Sequence, residues 1–499
     1  MGLKAFIIKP YAQWVAAKVK RWSQNPIERQ ERLFTKLVEK AKYTAFGKDH
    51  GFSDISSYHD FQKQVPIRDY EQLAPYIERI KKGEPDVLWA GRPRYFAKTS
   101  GTTSGTKYIP ITNDSIGNHF FSAQTAMMLY MAETGNYNIM DGKMIFLSGS
   151  PELEKVGGIP TGRLSGIVNH EVPSWLRTNQ LPSWTTNCID DWEQKLDKIV
   201  EETLQADMTL ISGIPPWVQM YFDRLVAIKG NPIKDVFPNF KVLVYGGVNF
   251  EPYKAKMMSS IGKTIDSVET YPASEGFLAY QDSQRAEGLL LNVDSGIFFE
   301  FIPASEYYDE NPSRLSLADV KLGVNYALII NSNAGLWAYS IGDTVKFVSL
   351  KPYRLVVTGR IKHFISAFGE HVIGEEVEKA MADAVAQIPA KVTEFTVAPK
   401  VEVQAELPYH EWLVEFDEMP SDIDKFANLL NQSMQRQNIY YADLIEGRVL
   451  QPLKITMLKK DAFIAYMRTQ GKLGGQNKVP RLSNDRRVAD ALEPYIDRV

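Results

Sequence analysis

The chain has a single cysteine, Cys188, in 499 residues. An internal disulfide is excluded, and a reducing, cytoplasmic setting is the simplest expectation. No basic residue adjoins Cys188 to stabilise a thiolate, so it is not read as a nucleophile. Long apolar runs are missing: nothing approaches the roughly 20 consecutive apolar residues of a spanning helix, so no membrane insertion is expected. Charge of one sign is not in excess either. With 57 basic and 60 acidic residues the formal net charge is -3, which leaves no global field to recruit nucleic acid. None of the seven histidines lies two to four residues from another, which argues against a histidine-built zinc site. Internal repeats and low-complexity segments are absent.

What is present is the patterning of a large folded protein, and a chain of this length is expected to form two or more domains. The first segment, MGLKAFIIKPYAQWVAAKVKRW, mixes Lys4, Lys9, Lys18, Lys20 and Arg21 with apolar residues. Its longest apolar run, Ala5 to Ile8, is too short for a signal-peptide core, and it is read as a packed helix rather than a membrane-surface one. Residues 28–44 place Leu33, Leu37 and Ala41 at helical spacing. VPIRDYEQLAPYIERI is a second helical pattern, entered through Pro66. In TNDSIGNHFFSAQTAMMLYMAET a helix capped by Thr112 or Asn113 would carry Ile116, Phe120, Ala123 and Met127 on one face.

KMIFLSGS, MTLISGIPPW and FKVLVYGG are short apolar runs ending in Gly, Ser or Pro with helical segments between them, the mark of buried strands in an α/β domain. Residues 289–358 are β-rich and expected as sheet or barrel. After TGRIKHFISAFGEHV the pattern becomes a small α+β unit, including a helix over SDIDKFANLLNQSM capped by Ser421 and Asp424. The expected division is 1–359 and 360–499.

Five short stretches carry chemistry. KTSGTTSGTKYIPIT sets six hydroxyl residues between Thr99 and Lys107, with Gly101 and Gly105 freeing backbone N–H groups. Ser100, Gly101, Thr102, Thr103, Ser104 and Gly105 can wrap an anion with Lys107 at the end, or form a plain turn. The spacing is not the GxxxxGK[ST] of P-loop nucleotidases, and KYIPIT continues as strand where that motif needs a helix. VETYPASEG ends an apolar run with Ser274 and Glu275; the carboxylate is a hard oxygen ligand for magnesium or a solvated strand end. Asp343 in GLWAYSIGDTVKFV sits in a Gly-Asp turn and could accept ribose hydroxyls. TGRIK offers Arg360 and Lys362, and the Gly-rich QGKLGGQNKVPRL offers Lys472, Lys478 and Arg481.

Their order is more specific than any one of them. A Ser/Thr/Gly loop with a lysine, then Y-x-x-S-E, G-L-x-x-Y-x-x-G-D, T-G-R-x-K and a C-terminal loop lysine resembles the adenylate-forming enzymes. FGKDHGF, VPIRDYEQLAPYI, FAKTSGTTSGTKYIP, SGIPPWV, YPASEG and QNKVPRL resemble, more closely, the auxin-responsive Gretchen Hagen family of acyl acid amido synthetases, from about residue 30 to residue 482.

The resemblance implies a large N-terminal domain of α/β sheets plus β-barrel and a small mobile C-terminal α+β domain. It implies ATP and Mg2+ as cofactors, a small-molecule carboxylic acid and an amino acid as partners, and a monomer or weak homo-oligomer. An acyl adenylate would form first and an amine would then take the acyl group. Coenzyme A as acceptor, and a non-catalytic relative, are the rival readings. By the same resemblance Ser100 to Lys107 would hold the β- and γ-phosphates, Ser274 the α-phosphate and Glu275 the metal. Gly246, Gly247 and Val248 would lie against adenine with Tyr271 opposite, Asp343 would bind the ribose and Arg360 would lie nearby. Lys362 would be the hinge and Lys478 the lysine that stabilises the adenylating charge. Tyr130, Trp175, Trp184 and Trp217 are the candidates for an acyl pocket suited to a bulky or aromatic acid. Two departures stand out: Ala338 and Ser340 replace arginines of a GLYRYRVGD-like plant stretch, and Glu370 and His371 replace a lysine-bearing one.

Overall fold

The structure, a computed structural model, describes residues 3–100, 106–172, 174–189, 191–247, 250–361, 364–365, 370, 372–401, 407–446, 449–471, 479–483 and 485–497. The chain forms two compact units, one of residues 1–248 with 264–356 and one of 249–263 with 357–499.

In the first unit an eleven-stranded sheet runs in the order Ile297–Pro303, Asn325–Ser332, Tyr339–Leu350, Tyr353–Arg360, Leu289–Leu291, Gly276–Tyr280, Asp266–Ala273, Val242–Gly246, Met208–Ser212, Lys143–Phe146, Gln180–Leu181. From Asp266–Ala273 to Gln180–Leu181 neighbouring strands are parallel. Runs such as Met208–Ser212 and Val242–Gly246 are apolar almost throughout because both faces are covered. The β-rich stretch continues this sheet through antiparallel pairings. Among the described residues the strand order is open.

The N-terminal helix Leu3–Ser23 buries Ala5, Ala12, Val15, Val19 and Trp22, as expected of a packed helix. The helix over 28–44 is Pro26–Ala41, with Phe34, Leu37 and Val38 buried. Pro66 is not a helix entry. The helix begins at Tyr70, where the Asp69 carboxylate accepts from Gln72 N and the Gln72 side chain answers at Asp69 N.

The helix Ile116–Thr134 starts after Ser115, and Thr112 instead closes a hydroxyl-bonded turn ahead of it, donating to Asn333 O at 2.7 Å. Its buried stripe includes Ile116, His119, Ser122 and Ala126; Ala123 is exposed, and Phe120 and Met127 lie half-buried at its border. In the second unit Asp422, not Ser421, caps the helix Ile423–Gln437, accepting from Lys425 N at 2.9 Å.

The second unit has a three-stranded sheet, with Tyr409–Glu418 between antiparallel Lys391–Lys400 and parallel Lys454–Leu458. Helices Gly374–Gln387 and Ile423–Gln437 pack around Phe395 and Trp412, whose rings stack 5.7 Å apart. Helix Glu251–Ile261, although it connects two neighbouring parallel strands of the first unit, clusters here.

His119 is 4 % exposed, its Nδ1 has no partner, and burial pushes the imidazole from 6.5 down to about 4. Its folded pKa lies below the unfolded one, so as pH falls through 6.5 the unfolded chain takes up a proton that the folded chain refuses. Stability is lost down to about pH 4 and then levels, a total of about 3 kcal/mol. Equilibrium urea unfolding of His119→Asn should show this part of the pH dependence removed; an unchanged profile would rule out the assignment.

Candidate nucleotide and acyl-acid site

Strands Tyr95–Ser100 and Thr106–Ile111 pair antiparallel with Thr99 opposite Lys107 and Ser100 opposite Thr106. The Ser/Thr/Gly loop therefore connects two paired strands, the context read from KYIPIT. Gly101, Thr102, Thr103, Ser104 and Gly105 lie outside the described residues, as does the side chain of Ser100. The Lys107 ammonium sits 5.6 Å from the centre of the Tyr70 ring, and the Tyr70 hydroxyl accepts from Tyr108 N at 2.9 Å.

Gly246 and Gly247 end the parallel strand Val242–Gly246 at its carboxyl end, where α/β sheets place their ligands. Neither position tolerates a side chain. A Cβ on Gly246 would collide with Thr270 O, and Gly247 has φ +83°. Val248 lies outside the described residues. The adjacent strand Asp266–Ala273 turns through Ser274 and Glu275 directly into Gly276–Tyr280, with Ala273 opposite Gly276. Ser274 is buried and Glu275 half-buried, and the Tyr339 hydroxyl lies 3.5 Å from Glu275 Oε1.

Asp343 is not in a turn. It lies inside strand Tyr339–Leu350, where Ser340 pairs with Ile329 and Thr344 with Ala327, so Ile341, Gly342 and Asp343 bulge opposite Leu328. Gly342 takes φ +83°, which lets the backbone kink there and re-aims the next side chain. The Asp343 carboxylate accepts from the Tyr271 hydroxyl at 2.7 Å. The structure thus places Gly246, Gly247, Tyr271, Ser274 and Glu275 on or beside adjoining strands of one sheet, and the Tyr271–Asp343 hydrogen bond brings Asp343 to them from a more distant strand of the same sheet.

Other expected residues stand elsewhere. Arg360 ends strand Tyr353–Arg360 and belongs to the second unit. Lys362 and Lys478 lie outside the described residues. Arg481 of QNKVPRL is buried among Glu378, Glu394 and Tyr253 and donates to Phe395 O at 2.8 Å, a structural role within the second unit. Tyr130 is 2 % exposed and donates to Asp266 Oδ2 at 2.8 Å, and Trp217 packs on Trp192 with centroids 4.8 Å apart. Trp184 is exposed, and the Trp175 side chain is outside the described set.

Motif reading missed the groups that hold Tyr339 in place. Arg68 N donates to Ala338 O, and Ser340 N donates to Arg68 O, each at 2.9 Å. Ala338, fully buried at φ +45°, donates its N–H to Asn331 Oδ1 at 2.7 Å. Asn331 Nδ2 donates to Glu300 Oε1 at 2.7 Å, while Glu300 Oε2 accepts from Tyr58 Oη at 2.9 Å and Arg314 Nε at 2.8 Å. Burial, then the Glu300 charge, pushes the Tyr58 hydroxyl well above its ordinary range, so it stays a donor.

Three family profiles match the chain in order: the GH3 family N-terminal domain over residues 15–195, the central domain over 290–360 and the C-terminal domain over 375–487. The chain belongs to the GH3 family. A jasmonoyl–L-amino acid synthetase of Nicotiana attenuata is 22% identical over 386 residues, 64% of this chain and 66% of its own length, just short of two thirds. An indole-3-acetic acid-amido synthetase of Arabidopsis thaliana is 22% identical over 526 residues, covering 88% of this chain and 87% of its own. In fold, this GH3 chain is similar to the GH3.15 acyl acid amido synthetase (TM-score 0.79, 16% identity, 97% and 96% of the two chains). It is also similar to 2-hydroxyisobutyryl-CoA ligase in its postadenylation state (TM-score 0.54, 12% identity, 96% and 90%).

Glu300 is 0 % exposed and its loss strands Arg314, whose side chain is 8 % exposed. Glu300→Ala should therefore destabilise the first unit by about 3–5 kcal/mol. Denaturant unfolding checks this, and a cost below about 1 kcal/mol would mean that the network holds nothing in place.

Proposed function

We propose that this GH3 chain is an ATP-dependent acyl acid amido synthetase. A carboxylate oxygen of the acid attacks the α-phosphorus of ATP, the bond to the β-phosphate breaks, and pyrophosphate leaves. An amine, in this reading an amino acid, then attacks the acyl carbon; the carbon–oxygen bond to AMP breaks and the amide forms with loss of a proton. The observation that carries the reading is the Tyr271–Asp343 hydrogen bond beside the Ser274–Glu275 turn, at the carboxyl ends of parallel strands. Two residues 72 apart in sequence meet there, one from each of two motifs recognised independently.

In this reading Asp343 accepts the ribose hydroxyls and Tyr271 orients its carboxylate while lying against adenine, which Gly246 and Gly247 approach closely for want of side chains. Ser274 donates to the α-phosphate. Lys107 and the Ser100–Gly105 hydroxyls and amides neutralise the departing pyrophosphate, and Lys478 serves the charge that builds as the acid attacks. Among the described residues no group of three or more His, Cys, Asp or Glu could hold a metal by itself. Glu275, a half-buried hard oxygen donor, fits a magnesium ion that takes its remaining ligands from phosphates and water. Such an ion would supply charge neutralisation at the polyphosphate. Lys362 is proposed as the hinge that brings the second unit's residues to the site between half-reactions. No helix among the described residues is long and apolar enough to cross a membrane, and the proposed compartment is the cytoplasm.

Acid-dependent ATP–pyrophosphate exchange, run across a panel of carboxylic acids, tests the first step. Mass spectrometry with mixed amino acids, and separately with coenzyme A, identifies the acceptor. Absence of exchange with every acid overturns the reading. Asp343→Asn should lower kcat/KM for ATP by about 10- to 100-fold, as expected for loss of a charged hydrogen-bond acceptor. Tyr271→Phe should lower it less, because the carboxylate remains. Lys478→Ala should depress exchange strongly while circular dichroism is unchanged, and preserved exchange would assign the adenylating charge to another lysine.

A further inference from the structure

The N-terminal helix Leu3–Ser23 is two-faced in an unusual way. Its inner edge, Ala5, Ala12, Val15, Val19 and Trp22, is buried. Its outer face is also apolar: Phe6, Ile7 and Trp14 are 71%, 62% and 60% exposed, and Tyr11 is 38% exposed. At roughly 100° per residue, Phe6, Ile7, Tyr11 and Trp14 fall within an arc of about 140°. Lys9 and Lys20 lie beyond one border of that arc, Lys18 and Arg21 fall inside it, and Lys4 lies beyond the other border, where it donates to Asn179 Oδ1 at 2.7 Å.

The aromatic pair is ordered rather than loose. Tyr11 and Trp14 stack with centroids 5.9 Å apart, the Lys18 ammonium is 6.0 Å from the Trp14 ring, and Tyr11 Oη donates to Gln124 Oε1 at 3.4 Å. Three residues before Gln124, Phe121 of the neighbouring helix is another 60% exposed aromatic. The charge on the segment has one sign: residues 1–27 contain five Lys or Arg and no Asp or Glu.

We infer that this face docks the protein onto an anionic lipid surface, with Phe6, Ile7, Tyr11 and Trp14 at the headgroup–acyl boundary and the flanking cations among the headgroups. Charge decides the occupant. A second copy meeting this face by two-fold symmetry would bring the same cations against each other, whereas anionic headgroups neutralise them. The inner edge keeps the helix fixed to the body of the first unit, so the chain lies on the bilayer without spanning it. Docking of this kind would deliver the protein to membrane-partitioned molecules, and it is independent of the reaction proposed above.

The test is co-sedimentation of the full chain with vesicles of phosphatidylcholine alone and of phosphatidylcholine with phosphatidylglycerol. Binding should require the anionic lipid and weaken as salt is raised. The combined variant Lys9→Ala, Lys18→Ala, Lys20→Ala should bind about 100-fold more weakly, at about fivefold per cation. Phe6→Ser with Trp14→Ser should also lower binding, by at least about tenfold. Both variants alter exposed side chains, so circular dichroism and ATP–pyrophosphate exchange should match the parent. Equal sedimentation with both vesicle types, or unchanged binding by either variant, overturns the proposal. So does a dimer that the Phe6/Trp14 variant abolishes in a protein that ignores vesicles.

Discussion

A carboxylate with no access to water, Glu300, sets the geometry of the candidate site without belonging to it. Its two oxygens take three donors, from Tyr58, Arg314 and Asn331. A buried charge is tolerable only when its lone pairs are filled, and each donor is thereby tied to one position. Asn331 has its amide N–H committed to Glu300 and its carbonyl oxygen free to receive Ala338 N, which holds a non-glycine residue at φ +45°. From that fixed turn the strand runs through Tyr339, beside Glu275, to the bulge that aims Asp343 at Tyr271. The strand that carries Asp343 is thus tied to a charge two strands away, on Ile297–Pro303 at the edge of the sheet.

The same network explains why the arginines of the plant stretch have no place here. Position 338 is fully buried with positive φ, and Ser340, 6 % exposed, takes a 2.8 Å hydrogen bond from Tyr307 Oη. A guanidinium at either position would need a cavity and a counter-ion that the packing does not provide. The substitutions therefore accompany a wall built from apolar packing and hydrogen bonds rather than from cations at these two positions.

The legible parts of the fold were those whose cause is local. Apolar runs closed by Gly or Pro marked the parallel strands because both faces of those strands are covered, and the strand context of the Ser/Thr/Gly loop followed from KYIPIT continuing as strand. Errors came where a distant partner decides. Pro66 looked like a helix entry, but the backbone of Arg68 is claimed by Ala338 and Ser340, which delays the helix to Tyr70. Gly342-Asp343 looked like a turn because glycine with aspartate favours one, whereas pairing on both sides of it makes a bulge instead. The residues of the candidate site carry motif signals. Glu300, Asn331 and Arg314 do not, since an isolated polar residue in a strand or loop carries no mark of being buried.

Residues 249–263 extend that argument to the architecture. EPYKAKMMSSI follows one parallel strand and precedes the next, as any crossover helix does, and nothing in its composition separates it from the first unit. Its Tyr253 nevertheless donates to Glu394 Oε2 at 2.7 Å and accepts from Arg481 at 3.1 Å, so its hydroxyl completes the buried ion-pair cluster of the second unit. Without that hydroxyl the doubly paired guanidinium of Arg481, whose side chain is only 12% exposed, loses one of its acceptors. The second unit is therefore not a sequence-contiguous appendage. The chain passes between units at 248/249, 263/264 and 356/357.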